Sequence, residues 1–559
     1  MIIEVVIEMM IPMLMAKIID DGVQAGNMDI IMRTGGMMLV LAIFGLMAGI
    51  GGGVLAAKAS SGFAMNLRAR MYRNIQSFSF ANIDKFSTSG LITRLTTDVT
   101  NIQNAYQMLI RMAMRAPMTL VIAMTMAMII SPRLSSVYLV AVIFLGLFLL
   151  FIIKKVSGYF RKVFERYDDL NNSVQENVSA IRVVKAYVRE DYEKDKFDKA
   201  VENLYNMFVK AESLMVTNMP VMQATVYTCI LLISWFGAHA IIQSELTTGE
   251  LMSLLTYCMN ILVSLMMLSM IFVMLTMSMA SAQRITEVIK EESSITDPKD
   301  PVTEVPDGRV DFDNVDFGYN RTAEEYVLKD IDLHIASGEI IGVIGGTGSA
   351  KTSLVNLIPR LYDVSEGAVR VGGLDVRSYD LTALRDQVAV VLQQNTLFSG
   401  TVLDNLRWGD ENATPEECRR ACRMACADEF IEKMPEGYDS LIEQGGANLS
   451  GGQRQRLCIA RALIKKPRII IFDDSTSAVD TATDAKIRKA MNEEIPDTTV
   501  FIIAQRIDSV MNADRIIVMD DGKVSAFGTH EELLASSEIY RDVYESQTSG
   551  AGDFDDPYD

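Results

Sequence analysis

The sequence predicts two domains of different class: an all-α, six-helix transmembrane domain, then an α/β domain built around a phosphate-binding loop. Three observations predict this. Six apolar runs fall before residue 285, and a membrane helix needs about 20 apolar residues. After residue 306 the pattern changes to short hydrophobic strands alternating with helical segments, the habit of a soluble α/β domain. Within that half, "EIIGVIGGTGSAKTSLVNLIPRLY" runs from an apolar strand through a glycine-rich turn into a helix. The expected layout is a transmembrane domain over 1–285, a linker over 286–306, the α/β domain over 307–547 and an acidic, disordered tail over 548–559.

Composition narrows the function classes. The 559 residues carry a net charge of −19, which excludes the basic footprint that a nucleic-acid partner requires. Six cysteines imply no disulfide framework and place the soluble half in a reducing compartment. Cys418, Cys422 and Cys426 recur every fourth residue in "ECRRACRMACAD". A metal stripe is conceivable there, but no histidine lies nearby and the spacing is not a CxxC pair, so small buried helix positions are expected. The N-terminus "MIIEVVIEMM" lacks the basic region and cleavage site of a signal peptide.

The six spans are expected at about 2–19, 35–57, 115–131, 134–153, 214–243 and 249–276. The first is short and carries Glu4, Glu8 and Lys17. Either part of that helix precedes residue 1, the favoured reading, or its start lies in a cavity. Two long loops, 58–114 and 154–213, are rich in Lys and Arg, with Arg68, Arg73 and Arg111 in the first, Arg115 counted with them at the start of the third span, and Lys154, Lys162, Arg182 and Lys185 in the second. The remaining loops, "DDGVQAGNMD", "SPRLSS" and "SELTTGE", are short and acidic or nearly neutral. The positive-inside rule therefore puts both basic loops, and the α/β domain after an even number of spans, in the cytoplasm of a multi-pass protein of the cytoplasmic membrane. Helical periodicity continues through the basic loops, so the membrane helices should extend beyond the bilayer. Many of the 36 methionines fall in the spans. They suit packing and lipid contact, or a permissive binding cavity.

In the α/β half, Gly345, Gly348, Lys351 and Thr352 match the phosphate-loop pattern G-x-x-x-x-G-K-[ST]. Position 350, glycine in the fuller form, is alanine. Alanine keeps its backbone N–H, so its β-carbon should be tolerated if the backbone is near helical. Such a loop holds phosphate through N–H groups and the positive end of its helix. Lys351 would reach the β/γ-phosphates, and Thr352 would bind magnesium. Next, "NLSGGQRQRLCIARAL" places Ser450, Gly451, Gly452 and Gln453 at a helix start, a second place for phosphate. About twenty residues on, "RIIIFDD" ends a strand in Asp473, suited to hold magnesium through water.

The order phosphate loop, "VLQQNTLFSG", "LSGGQ", "IIIFDDSTSAVD", "FIIAQR" resembles the nucleotide-binding domain of an ATP-binding cassette (ABC) transporter. Six spans ahead of one cassette, with "GLITRLTTDV" and "ENVSAIRVVKAYVRE" in the cytoplasmic loops, are similar to a half-transporter of the exporter fold. The resemblance implies ATP and Mg2+ as ligands. Tyr319 would stack on adenine, Ser353 would follow Thr352 on the phosphate side, and Gln393 would sense magnesium together with Thr352 and Asp473. Ser450 to Gln453 would contact the γ-phosphate of ATP held by a second cassette, and Asp480 would lie between the two sites. His530 would be a structural position.

Two residues depart from the family pattern. The residue after the magnesium aspartate, glutamate in active members, is Asp474. Its carboxylate sits about 1.5 Å further back, and a 1 Å misplacement can cost roughly 100-fold. The family's switch histidine is Gln505, which hydrogen-bonds but cannot share a proton as imidazole does. The expectation is a site that binds ATP and hydrolyses it weakly. Its partner would be a second half-transporter with glutamate and histidine at these positions. The pair would export amphipathic or apolar small molecules across the bilayer. A lipid or peptide exporter, a siderophore importer of exporter fold, and an ATP-gated channel or sensor remain alternatives.

Overall fold

The computed structural model describes residues 1–319, 325–474 and 481–548. It divides into two compact units, one of Met1–Gln76 and Thr88–Glu291, the other of Ser77–Ser87 and Glu292–Asp559.

The first unit is helical. Among the described residues five helices are long and apolar enough to cross a membrane: Met28–Gln76, Thr88–Ile130, Pro132–Phe160, Glu190–Ile242 and Thr248–Phe272. Ile2–Lys17 has 16 residues and continues into a helical turn over Ile18–Gln24. The 49 residues of Met28–Gln76 extend about 74 Å at 1.5 Å per residue, against a hydrocarbon core of about 30 Å. Its apolar residues face outward, with Leu39, Leu46 and Leu55 more than 60% exposed, as lipid-facing positions do.

Elsewhere the ends are set by local chemistry. Ser131 caps the helix that begins at Pro132, and Thr247 with Glu250 forms a capping box ahead of Thr248–Lys290. Asp20 accepts hydrogen bonds from the Thr247 hydroxyl (2.6 Å) and the Gly249 amide (2.9 Å). A β-carbon at Gly249 would sit 2.5 Å from the Ala16 carbonyl, so this approach needs glycine. Buried Tyr138 and Tyr257 donate to the carbonyls of Leu254 and Met9, each at 2.7 Å, which satisfies both hydroxyls within the apolar core around Leu145, Ile233 and Ile261.

The charges of the first helix have a partner. Arg115 donates to Glu4 at 2.8 Å and to Glu8 at 2.7 Å. Arg115, counted with the cytoplasmic loop charges, lies in the helix Met114–Ile130, as the helical periodicity predicts, and pairs with Glu4 and Glu8 of Ile2–Lys17. An isolated carboxylate in this setting would be costly, and the guanidinium offsets much of that cost.

The second unit is α/β. Its strands are β1 (Val310–Phe317), β2 (Leu328–Ile335), β3 (Ile340–Gly345), β4 (Glu366–Val371), β5 (Leu374–Asp375), β6 (Val388–Val391), β7 (Gly400–Thr401), β8 (Leu441–Ile442), β9 (Ile469–Asp473), β10 (Thr499–Ile503), β11 (Arg515–Asp520) and β12 (Lys523–Gly528). One sheet, β2-β1-β4-β5, is antiparallel; the main sheet, β12-β11-β3-β10-β9-β6, is parallel apart from the β11–β12 pair. Strands β9 and β10 are buried at every residue, as expected where helices cover both faces of a parallel sheet. Cys418 and Cys422 are fully buried on the helix Pro415–Met424, whereas Cys426 lies beyond its end. Among the described residues no group of three or more His, Cys, Asp or Glu could hold a metal ion. The acidic tail from 549 onward lies outside the described residues.

Candidate active site

The parallel strands β3, β9 and β10 lie side by side, so their C-terminal ends deliver residues to one place, the usual ligand edge of an open α/β sheet. From β3 the chain turns through Gly345–Ala350 into the helix Lys351–Asn356. Glycine is required at Gly345, where a β-carbon would come within 2.3 Å of the Met519 carbonyl. At Gly348, φ is +86° and a β-carbon would meet nothing within 4 Å. The space over the loop is therefore open at this point, as a phosphate cradle must be.

Ala350 departs from the sequence expectation. Its backbone is left-handed, φ 71° and ψ 24°, not near right-handed helical. The β-carbon is therefore strained, by about 1–2 kcal/mol relative to glycine. The amide is retained, as expected.

Lys351 donates to the carbonyls of Gly345 and Gly346, both at 2.7 Å. An incoming phosphate would have to draw the ammonium from these two carbonyls. The Thr352 hydroxyl donates to Asp473 at 2.8 Å, so the residues expected to hold magnesium already touch. A hydroxyl and a carboxylate are hard oxygen donors, and magnesium characteristically takes few protein ligands and completes its shell with phosphate and water. Asp473 is only 4% exposed. Burial pushes its carboxyl above the usual range and the neighbouring Asp474 adds to this, with Thr352 and Lys351 opposing. A divalent cation would relieve that burial cost.

At the end of β9, Asp474 takes the left-handed conformation, φ 47°, which aspartate tolerates better than most residues. Its carboxylate accepts from Gln393 at 3.4 Å and from Gln505 at 3.5 Å. Three sequence-predicted residues thus meet. Burial raises the Asp474 carboxyl too, with the Gln393 bond and Lys351 opposing. Gln393 is held in a loop whose Leu397 is buried and whose Phe398 stacks on Trp408 with centroids 4.0 Å apart.

Tyr319 is 49% exposed, and its hydroxyl pairs with Ser353 at 2.8 Å. Its ring is thus fixed beside the phosphate loop with much of its surface free. Sequence reading missed Tyr362, whose ring centroid is 5.1 Å from that of Tyr319. The signal available was its place shortly after the phosphate-loop helix, in "PRLYD".

Ser450 caps the helix Gly451–Ile464 in a capping box with Gln453. Their side chains bond to each other's backbone, and among the described residues neither reaches the phosphate loop nor Asp473–Asp474. Asp480 lies outside the described residues. His530 pairs with the fully buried Tyr540 at 2.7 Å and packs edge-on to Tyr544.

This fold and loop define a class, membrane proteins with a fused P-loop nucleotide-binding cassette. The comparisons with known proteins agree. Residues 1–266 match the ABC transporter transmembrane region and residues 328–477 the ABC transporter domain. The chain is 37% identical over 552 residues to "Uncharacterized ABC transporter ATP-binding protein YfiB" of Bacillus subtilis (strain 168), covering 99% of this chain and 96% of that protein. It is 32% identical over 499 residues to "ATP-dependent lipid A-core flippase" of Desulfotalea psychrophila (strain LSv54 / DSM 12343), covering 88% and 86%. In fold it is similar to "Structure of a bacterial Atm1-family ABC exporter with ATP bound", with a TM-score of 0.81, 23% identity and coverage of 97% and 96%. The chain belongs to the ABC transporter family. It is a multi-pass membrane protein with its cassette in the cytoplasm.

Proposed function

We propose that the chain is the ATP-holding half of a heterodimeric exporter. Its own site would bind ATP and hydrolyse it weakly, while Ser450 to Gln453 complete the hydrolytic site on a partner. One observation carries this reading. Asp474, held between Gln393 and Gln505, offers a short carboxylate and a neutral amide where the family pattern has glutamate and histidine. Gln505 can orient a water by hydrogen bonding but cannot take its proton.

In this reading the adenine stacks on Tyr319. Backbone amides of the loop from Gly345 to Thr352, with Lys351, bind the phosphates. Thr352 and Asp473, with Gln393 beside them, would hold Mg2+, which when bound neutralises phosphate charge. Two cassettes close head to tail around two ATP molecules, and the long cytoplasmic helices carry that closure to the spans. Among the described residues Ser450 and Gln453 bond only locally, as a motif kept for a second cassette would. The partner is a half-transporter with glutamate and histidine at the two positions.

The transported compound is amphipathic or apolar. A lipid is favoured among these by the relatives named as lipid A-core flippases. The test is ATPase activity of the purified pair in lipid. Replacing the partner's catalytic glutamate should abolish nearly all turnover, and Asp474→Asn should change it little. The opposite pattern sinks the proposal.

A further inference from the structure

The segment that carries Gln505 has no ladder bonds of its own. Strand β10 ends at Ile503, and a short helical turn begins at Ile507. On one side Ala504 donates to the Val343 carbonyl at 3.1 Å. On the other the Ile507 side chain is buried in the cassette core. Gln505 and Arg506, between these anchors, are exposed. A bend of this kind leaves backbone N–H and C=O groups to be satisfied from elsewhere.

The partner is the side chain of Gln547. Its Oε1 accepts from the Ile507 N–H at 2.8 Å, and its Nε2 donates to the Gln505 carbonyl at 3.0 Å. A primary amide presents an acceptor and a donor side by side, so one side chain closes both ends of the bend. Gln547 stands in the last turn of the helix Glu538–Thr548. Tyr540, Tyr544 and Gln547 recur at the i, i+4, i+7 spacing of a single helix face. Tyr540 is fully buried and pairs with His530, and Tyr544 packs against the core. Arg541 donates to the carbonyls of Leu534 and Ala535 at 2.9 and 3.1 Å. The amide is thus delivered by a helix that is itself tied down. On the far side of the bend, the Gln505 side chain donates to Asp474 at 3.5 Å.

We propose that Gln547 is a positioning residue for the nucleotide site: it fixes the backbone of Gln505 and thereby sets the preference of the cassette for ATP over ADP. It rests on the proposed function, in which Gln505 acts at the terminal phosphate. Without the Gln547 amide, the Gln505 carbonyl and the Ile507 N–H turn to water, and the bend gains freedom between its two anchors. Only the terminal phosphate distinguishes the two nucleotides. A Gln505 that is no longer aimed therefore weakens ATP and leaves ADP as it was.

The test is equilibrium binding of Mg2+–ATP and Mg2+–ADP to the full chain in lipid nanodiscs. Gln547→Met keeps the length and packing of the side chain and removes both hydrogen bonds. It should lower ATP affinity by about tenfold, within the usual range of coupling between two sites, and change ADP affinity by less than about twofold. A merely structural defect would weaken both nucleotides alike. Gln547→Ala serves if the first variant folds poorly and should show the same loss of preference. Gln505→Ala should reproduce that loss, and the double variant should lose little more, since groups that act through one another are not additive. An undiminished preference for ATP in both Gln547 variants overturns the proposal, as does an equal loss of ATP and ADP affinity or full additivity with Gln505→Ala. The Gln505 variant also separates the two readings. If it leaves the preference intact, Gln505 does not act at the terminal phosphate, and the positioning fails with that reading. If it lowers the preference and the Gln547 variants do not, the positioning alone fails.

Discussion

Ala350 shows what one residue can hide. The sequence tells that alanine replaces glycine and that the amide survives. It does not tell that the backbone there is left-handed, because φ is set by how the loop must turn between β3 and its helix. At such a position alanine is strained and glycine is not. Ala350→Gly should therefore stabilise the chain by about 1 kcal/mol, an increase in Tm of roughly 2–4 °C for a domain of this size, read by thermal unfolding in detergent. A fall in Tm would mean that the alanine side chain contributes packing that exceeds the strain. Asp474 is a second case. Its identity was legible as a departure from the family pattern, whereas the left-handed backbone that aims its carboxylate at Gln393 and Gln505 was not.

At the scale of elements, hydropathy located five of the six expected spans among the described helices long and apolar enough to cross a membrane, because burial in lipid demands long apolar runs, while Ile2–Lys17 falls short of that length. It could not pair their charges. Glu4 and Glu8 looked like a defect in the first helix until Arg115 was found against both. The contact joins residues more than a hundred positions apart and has no local signature. Arg115→Leu should lower the stability of the purified protein by about 3 kcal/mol, the low end for breaking a buried pair since all three side chains are partly exposed. Adding Glu4→Gln and Glu8→Gln should restore most of the loss, measured as the temperature at which the monodisperse protein disappears. In the cassette, His334 on β2 faces Asp311 on β1 at 2.8 Å, and that bond raises its pKa above the ordinary value. A raised histidine contributes stability that is complete below about pH 6.5 and fades as pH climbs through its folded pKa. The cassette should thus melt slightly higher at pH 6 than at pH 8.5. His334→Gln should remove that difference, by less than about 1 kcal/mol because the pair is exposed.

For the whole molecule the question is how two unequal sites would share work in the proposed pair. A phosphate loop with a touching Thr352–Asp473 pair is fit to hold nucleotide. A catalytic pair reduced to Asp474 and Gln505 is poorly fit to release it through hydrolysis. In a pair with a competent partner, half of the bound nucleotide should therefore turn over quickly and half should stay. Labelled ATP trapped on the purified pair and chased with unlabelled ATP should leave in two phases, the slower by roughly 100-fold, the scale set by a misplaced catalytic group. Asp474→Glu with Gln505→His restores the longer carboxylate and the proton-sharing ring, so the slow phase should merge into the fast one. If the unaltered pair releases all of its label in a single fast phase, the chain's own site is not a holding site. The heterodimer reading would then lose its physical basis, whatever the partner's sequence.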